Sequence, residues 1–167
     1  MEKMVIETRA GYIGLGWTGA GLSFLNLPEP TLYEAEMEMK PYLGAIEKEA
    51  PGQCLSPDGL ERALKLYFEG KPVDLSFPVD WSLYTDFQKR VLQRVYSIPW
   101  GEVLSYGQVG MEVGSPRGAR AVGGAVGSNR VVLVVPCHRV VAHNGIGGFG
   151  GGLERKRMLL GLEGINI

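Results

Sequence analysis

From Met4 to Pro28 the chain reads "MVIETRAGYIGLGWTGAGLSFLNLP", with apolar residues alternating with small or polar ones and broken by glycine. This pattern predicts two or three strands joined by hairpin turns, ended by Pro28 and Pro30. The period then changes. "YEAEMEMKPYLGAIEKEA" predicts a partly helical segment. In "SPDGLERALKLYFEG" the apolar residues Leu60, Ala63, Leu64, Tyr67 and Phe68 follow the spacing of one helix face, and Gly70 is placed to cap its C-terminus. "VDLSFPVD", residues 73–80, predicts a short strand.

From Thr85 helical signals follow one another closely. Thr85 with Gln88 has the form of a capping box, Phe87, Val91 and Val95 share a face, and Pro99 stops the helix. Ser105 with Gln108 repeats the box and opens a shorter helix, "YGQVGMEV". Gly114 then reads as a terminator, Ser115 as an N-cap and Pro116 as the first residue of a second short helix, so a helix-turn-helix is expected. Gly118, Gly123 and Gly124 each cost that helix about 1 kcal/mol relative to alanine. Close packing on a neighbouring helix would explain the glycines. It would not explain Arg117 and Arg120, which share a face with Ala121 and Gly124 and fit the approach to a DNA groove. Beyond them "RVVLVV" reads as a strand running into Pro136, Cys137, His138 and Arg139.

Composition sharpens this division. The chain has 167 residues, 45% of them apolar, enough for one domain or two small ones and unlike a disordered chain. Residues 1–85 hold 7 Lys and Arg against 13 Asp and Glu, whereas residues 86–167 hold 10 against 5. The two domains expected are therefore an acidic α/β one over 1–82 and a basic, mainly α-helical one over 83–167. The basic surplus suits a module that neutralises phosphates, and a solvated basic face carries the same charge. No apolar run has membrane-spanning length and "MEKMVIETRA" lacks a signal-peptide pattern, so an intracellular, cytoplasmic protein is expected, or a nuclear one in a eukaryote. Cys54 and Cys137 are too few for a disulfide framework, and Cys54 has no assigned role.

A cysteine ending an apolar run is ordinarily an inert buried thiol. An adjacent imidazole and guanidinium change that expectation, because basic or cationic neighbours favour the reactive thiolate. In an extended segment, however, the Cys137 and His138 side chains point to opposite faces, so a water bridge between them is expected rather than a direct bond.

"IPWGEVLSYGQV", "ARAVGGAVGSN", "VPCHRVV", "GGGLERKRMLL" and "LEG" stand in the order and at the spacing of a known family. The chain resembles the O6-alkylguanine-DNA alkyltransferases, self-sacrificing DNA repair proteins, over about residues 85–164. The resemblance implies a ribonuclease-H-like N-terminal domain and alkyl transfer to Cys137 from a guanine turned out of double-stranded DNA. His138 would be the base acting through water, Glu163 the carboxylate that orients it, and Tyr106 the hydrogen-bond donor to the leaving base. Asn129 would tie the helix-turn-helix to the active-site strand, with Arg139 structural in the same place. Arg120 would enter the base stack from the minor groove, among DNA-facing residues Ser105, Pro116, Arg117, Ala119, Ala121, Gly124 and Arg130. Val140, Gly147, Phe149, Gly150 and Gly151 would line the base's site. Family members carry tyrosine and serine where this chain has Phe149 and Gly150; the aromatic wall is kept, and the Gly150 N–H can still meet the guanine oxygen. The resemblance implies no cofactor and a monomer. A structural zinc, present in some relatives, is not expected from Cys54, Cys137, His138 and His143, and His143 reads as an exposed loop residue.

Three alternatives remain in view. A non-enzymatic alkyltransferase-like protein binds the lesion without transfer but lacks the cysteine. A helix-turn-helix regulator reads bases with side chains such as Asn or Gln, which "RGARAVGGAVG" lacks. A thiol hydrolase would cycle instead of stopping after one event.

Overall fold

The computed structural model describes residues 2–46 and 58–167, so Cys54 lies outside the described residues. Two compact units form. One comprises residues 1–83 with Arg130–Val132, the other residues 84–129 and 133–167.

The N-terminal unit is built on an antiparallel sheet of β1 (Glu2–Thr8), β2 (Gly11–Thr18) and β3 (Gly21–Leu25), with β2 in the centre. Both hairpins use the same device. Thr8 and Thr18 each accept from the backbone N–H two residues on, across the matching turns "TRAG" and "TGAG". In β2, Ile13, Leu15 and Trp17 alternate with Gly14 and Gly16, and all five are buried. The glycine face admits α1 (Leu32–Ile46) at close range: a Cβ on Gly14 would fall 2.7 Å from Met39 Cγ. α2 (Asp58–Phe68) buries Leu60, Ala63, Leu64, Tyr67 and Phe68, the predicted stripe, each large side chain contributing about 1.5–3 kcal/mol of burial. Gly70, at φ 73°, reverses the chain after it.

The strand expected over 73–80 does not form. Val79 makes only an isolated bridge to Leu22, because Pro78 has no N–H with which to extend a ladder. Leu22 N–H donates to the Pro78 carbonyl and Asp80 N–H to the Leu22 carbonyl, both at 2.8 Å.

In the C-terminal unit α3 (Asp86–Tyr96) and α4 (Tyr106–Glu112) open on the expected capping boxes at Thr85 and Ser105, complete in both directions. α3 buries Val91, Leu92 and Val95. Gly114, at φ 78°, follows α4. The next helix starts later than expected: α5 spans Ala119–Gly127 with Gly118 as N-cap. Ser115 and Pro116 belong instead to a turn closed by Gly118 N–H on the Ser115 carbonyl at 2.9 Å, with proline at the turn position its fixed φ favours. A two-stranded parallel pair, β4 (Leu104–Ser105) with β5 (Val140–Val141), and α6 (Leu153–Leu162) complete the unit. The chain is thus mixed α/β with six helices among the described residues. No helix among them is long and apolar enough to cross a membrane.

Candidate active site

Asn129, just beyond α5, anchors the approach to the cysteine by donating from Nδ2 to the Val135 carbonyl at 2.8 Å. The apolar run is not a continuous strand. Leu133 adopts φ 70°, residues 133–134 turn, and Cys137–Arg139 wind into a single 3-10 turn. Successive side chains on such a turn diverge by about 120°. Cys137 and His138 therefore leave the backbone in different directions, by rotation about the turn and not by the expected strand alternation.

His138 is 1% exposed, and its Nε2 lies 2.7 Å from Glu163 Oε1. The same carboxylate receives Arg139 Nε at 2.8 Å on Oε2 and Arg139 Nη2 at 3.0 Å on Oε1. Arg139 also donates to the Ile98 carbonyl, fixing the guanidinium against the end of α3. Burial pushes the Glu163 carboxyl up, but the hydrogen bonds and charges of His138 and Arg139 outweigh it and hold the group at about 2. For His138, burial pulls the imidazole below its ordinary value; Glu163 opposes this, and the charges of Arg139 and Lys156 reinforce it. Arg139 thus neutralises Glu163, and the ring stays neutral beside an ionised carboxylate. With Nε2–H donating to Glu163, Nδ1 is the basic nitrogen of that tautomer, as the hydrogen bond implies.

Cys137 is 7% exposed. Burial pushes its thiol up, against a hydrogen bond from the Asn129 side chain and the charge of Lys156. The resting sulfur is therefore a thiol, while the hydrogen-bonding groups of His138 Nε2 and Arg139 are directed at Glu163. A reaction at this sulfur needs a base, and a neutral imidazole has the chemistry to serve as one.

Tyr106, half-buried at the start of α4, donates its hydroxyl to the Gly148 carbonyl at 3.2 Å. Burial raises its phenol, and the Cys137 charge adds to this. Gly147 lies close beneath it, at φ 72°, where a Cβ would come 2.9 Å from Ala142 N and 3.0 Å from Tyr106 Cε2. Only glycine fits this position. Phe149 is half-buried, while Gly150 is exposed and Gly151 half-buried.

One residue the sequence reading passed over occupies the centre of this arrangement. Lys156 on α6 has no exposed surface and donates from Nζ to the Val140 carbonyl at 2.6 Å and the Gly148 carbonyl at 2.9 Å. Its spacing was the available signal: Lys156 stands three, four and seven residues before Leu159, Leu160 and Glu163, all buried. The run "ERKR" reads as solvated, yet its third member lies on the buried face of the helix.

The remaining expected residues are elsewhere. Pro116, Arg117, Ala119, Arg120, Ala121 and Gly124 are all exposed, on α5 and the turn before it. A Cβ on Gly124 would meet nothing within 4 Å, and one on Gly123 only Tyr106 at 3.9 Å, so these glycines do not serve tight packing on a neighbouring helix. The Ser105 hydroxyl accepts from Gln108 N–H as the helix cap. Arg130 belongs to the N-terminal unit, with its guanidinium 5.7 Å from the Tyr42 ring centroid. His143 is exposed in a turn.

A buried thiol and a neutral histidine held by an ionised carboxylate define a protein built for nucleophilic chemistry at sulfur. Comparison with known proteins identifies which kind. Residues 86–165 match the model of the 6-O-methylguanine DNA methyltransferase DNA-binding domain. A methylated-DNA–protein-cysteine methyltransferase of Saccharolobus islandicus is 47% identical over 104 residues, 62% of this chain and 67% of that protein. One from Sulfurisphaera tokodaii is 49% identical over 104 residues, covering 62% and 65%. Among solved structures, Mycobacterium tuberculosis OGT in complex with DNA superposes with TM-score 0.75 at 33% identity, over 98% of this chain and 92% of that one. The O6-methylguanine-DNA methyltransferase of Pyrococcus kodakaraensis gives TM-score 0.72 at 30% identity, over 98% and 100%. The chain belongs to the 6-O-methylguanine-DNA methyltransferase family.

Proposed function

We propose that this protein repairs DNA by moving the alkyl group of O6-alkylguanine, in a base turned out of the duplex, irreversibly and stoichiometrically onto Cys137. The observation that carries this reading is the buried constellation: a thiol next in sequence to a buried histidine whose Nε2 lies 2.7 Å from Glu163 Oε1. The thiol proton passes through water to His138 Nδ1, and Glu163 stabilises the charge that forms. Sulfur attacks the alkyl carbon in line as the carbon–O6 bond breaks. Tyr106 donates to a ring nitrogen of the departing base, where negative charge develops. The net change exchanges alkyl for proton: sulfur becomes a thioether and guanine recovers its hydrogen. A thioether has no easy hydrolytic exit, so each molecule acts once, without a cofactor. The presence of Cys137 favours this over lesion binding alone.

The exposed small face of α5 supports the DNA half of the reading. Ala119, Ala121 and Gly124 permit close approach to a minor groove, Arg120 fills the vacated stack, and Arg117 meets phosphate. Ser105, Pro116 and Arg130 complete the DNA-facing set, and Val140, Gly147, Phe149, Gly150 and Gly151 surround the base. Residues 83–167 form the DNA-binding and alkyl-transfer domain, with α4 and α5 as its helix-turn-helix. Residues 1–82 form a ribonuclease-H-like domain. The protein works as a monomer in the cytoplasm, or in the nucleus of a eukaryote.

Intact-mass measurement after incubation with O6-methylguanine duplex DNA is expected to show one added methyl per chain, on Cys137. Sustained turnover, or no mass change in folded protein, rejects the reading. Arg120→Ala is expected to slow repair in duplex DNA far more than transfer from free O6-benzylguanine, which needs no extrusion.

A further inference from the structure

The Gly148 carbonyl receives two donors, the Tyr106 hydroxyl at 3.2 Å and Lys156 Nζ at 2.9 Å. If Tyr106 serves the departing base, its hydroxyl has to leave that carbonyl. Lys156 remains, still bound to the Val140 carbonyl at 2.6 Å, and so links the glycine loop to β5 throughout. The Lys156 ammonium lies 6.0 Å from the ring centroids of both Tyr106 and Phe149, within the range of cation–π attraction.

We infer that Lys156 is a positioning residue for alkyl transfer, holding Gly148 while Tyr106 is handed to the substrate and setting an enclosed positive charge against the Cys137 sulfur. This rests on the alkyl-transfer reading above. Burying an ammonium is costly unless an anion or full hydrogen bonding offsets it. The two carbonyls supply hydrogen bonds, and the anion arrives when Cys137 ionises. Burial draws Lys156 down to about 8 and the Cys137 charge opposes that, so ammonium and thiolate favour each other. The groups facing Lys156 are Tyr106 from α4 and Cys137 and His138 from the 3-10 turn, with Glu163 further along its own helix. Its charge also lowers His138, which keeps the base neutral.

Thiol ionisation, followed by thiolate absorbance in a Cys54→Ala background so that one thiol reports, requires no substrate. Lys156→Met is expected to move the Cys137 midpoint to higher pH, and Lys156→Arg, which keeps the charge, to move it less. With free O6-benzylguanine, Lys156→Met is expected to lower the single-turnover rate about 100-fold, the scale of a misplaced catalytic group. An unmoved midpoint or an unchanged rate overturns the inference. Should Lys156→Met not fold, carbon-13 lysine titration of the Cys54→Ala protein decides: the Lys156 midpoint should fall after Cys137 is alkylated, and an unchanged midpoint overturns the inference. Failure of that protein to take up any alkyl group counts against alkyl transfer itself, whatever Lys156 does to thiol ionisation.

Discussion

Both units bury polar side chains, but they use them differently. In the N-terminal unit such groups complete the backbone. Asn26 Oδ1 accepts from Gly14 N–H at 2.5 Å and Nδ2 donates to the Leu27 carbonyl at 2.8 Å, while Asp80 receives the Thr18 hydroxyl at 2.7 Å and Ser82 N–H at 3.0 Å. The bonds from Gly14 and Thr18 tie the central strand β2 to segments that follow β3. In the C-terminal unit His138, Arg139 and Glu163 are buried and directed chiefly at one another, and the buried Lys156 bears on Cys137 through its charge. Removing a partner from the first set unmakes a local bond. Removing one from the second leaves a charge without its counterpart.

The largest effect expected is therefore from Glu163→Gln. It leaves the Arg139 guanidinium buried beside a neutral amide, at a cost of about 3–5 kcal/mol, read as a lowered denaturation midpoint, with slower alkyl uptake by the folded fraction. The acid limb sharpens this. Glu163 is held at about 2 in the folded protein, below its ordinary 4.5, so its contribution is present above 4.5 and is lost as pH falls from there towards 2. Urea titrations across that window should show a steeper loss for the native protein than for Glu163→Gln; equal slopes would mean that the carboxylate is not held by the pair.

Asn26→Ala comes next. Gly14 N–H and the Leu27 carbonyl lose their partner at a cost of about 1–3 kcal/mol, and mass-detected alkylation per folded molecule should not change. A slower reaction there would break the contrast between the units. Thr85→Ala is the smallest, about 1 kcal/mol from loss of the α3 cap, visible as a small fall in melting temperature with chemistry intact.

Local rules made much of this architecture readable. The α2 stripe and the boxes at Thr85 and Ser105 were legible because each is decided within four residues or by a repeating period. The errors arose where one residue changed the outcome. Pro78 denied a ladder to a strand-like run, Ser115 and Pro116 made a turn in place of a helix start, and Leu133 turned an apolar segment that looked extended. The site divides in the same way. Cys137 and His138 stood out by adjacency, whereas Glu163 came from resemblance, since a partner 25 residues from His138 has no local signature. The clamp of Arg139 on Glu163 and the burial of Lys156 depend on how the 3-10 turn and α6 face each other, which no window of sequence contains.

Glu163 is the C-terminal cap of α6, so Cys137 and the carboxylate that meets His138 stand at opposite ends of the segment 137–163. A chain cut short anywhere between the two would keep the thiol and lose the carboxylate that orients His138.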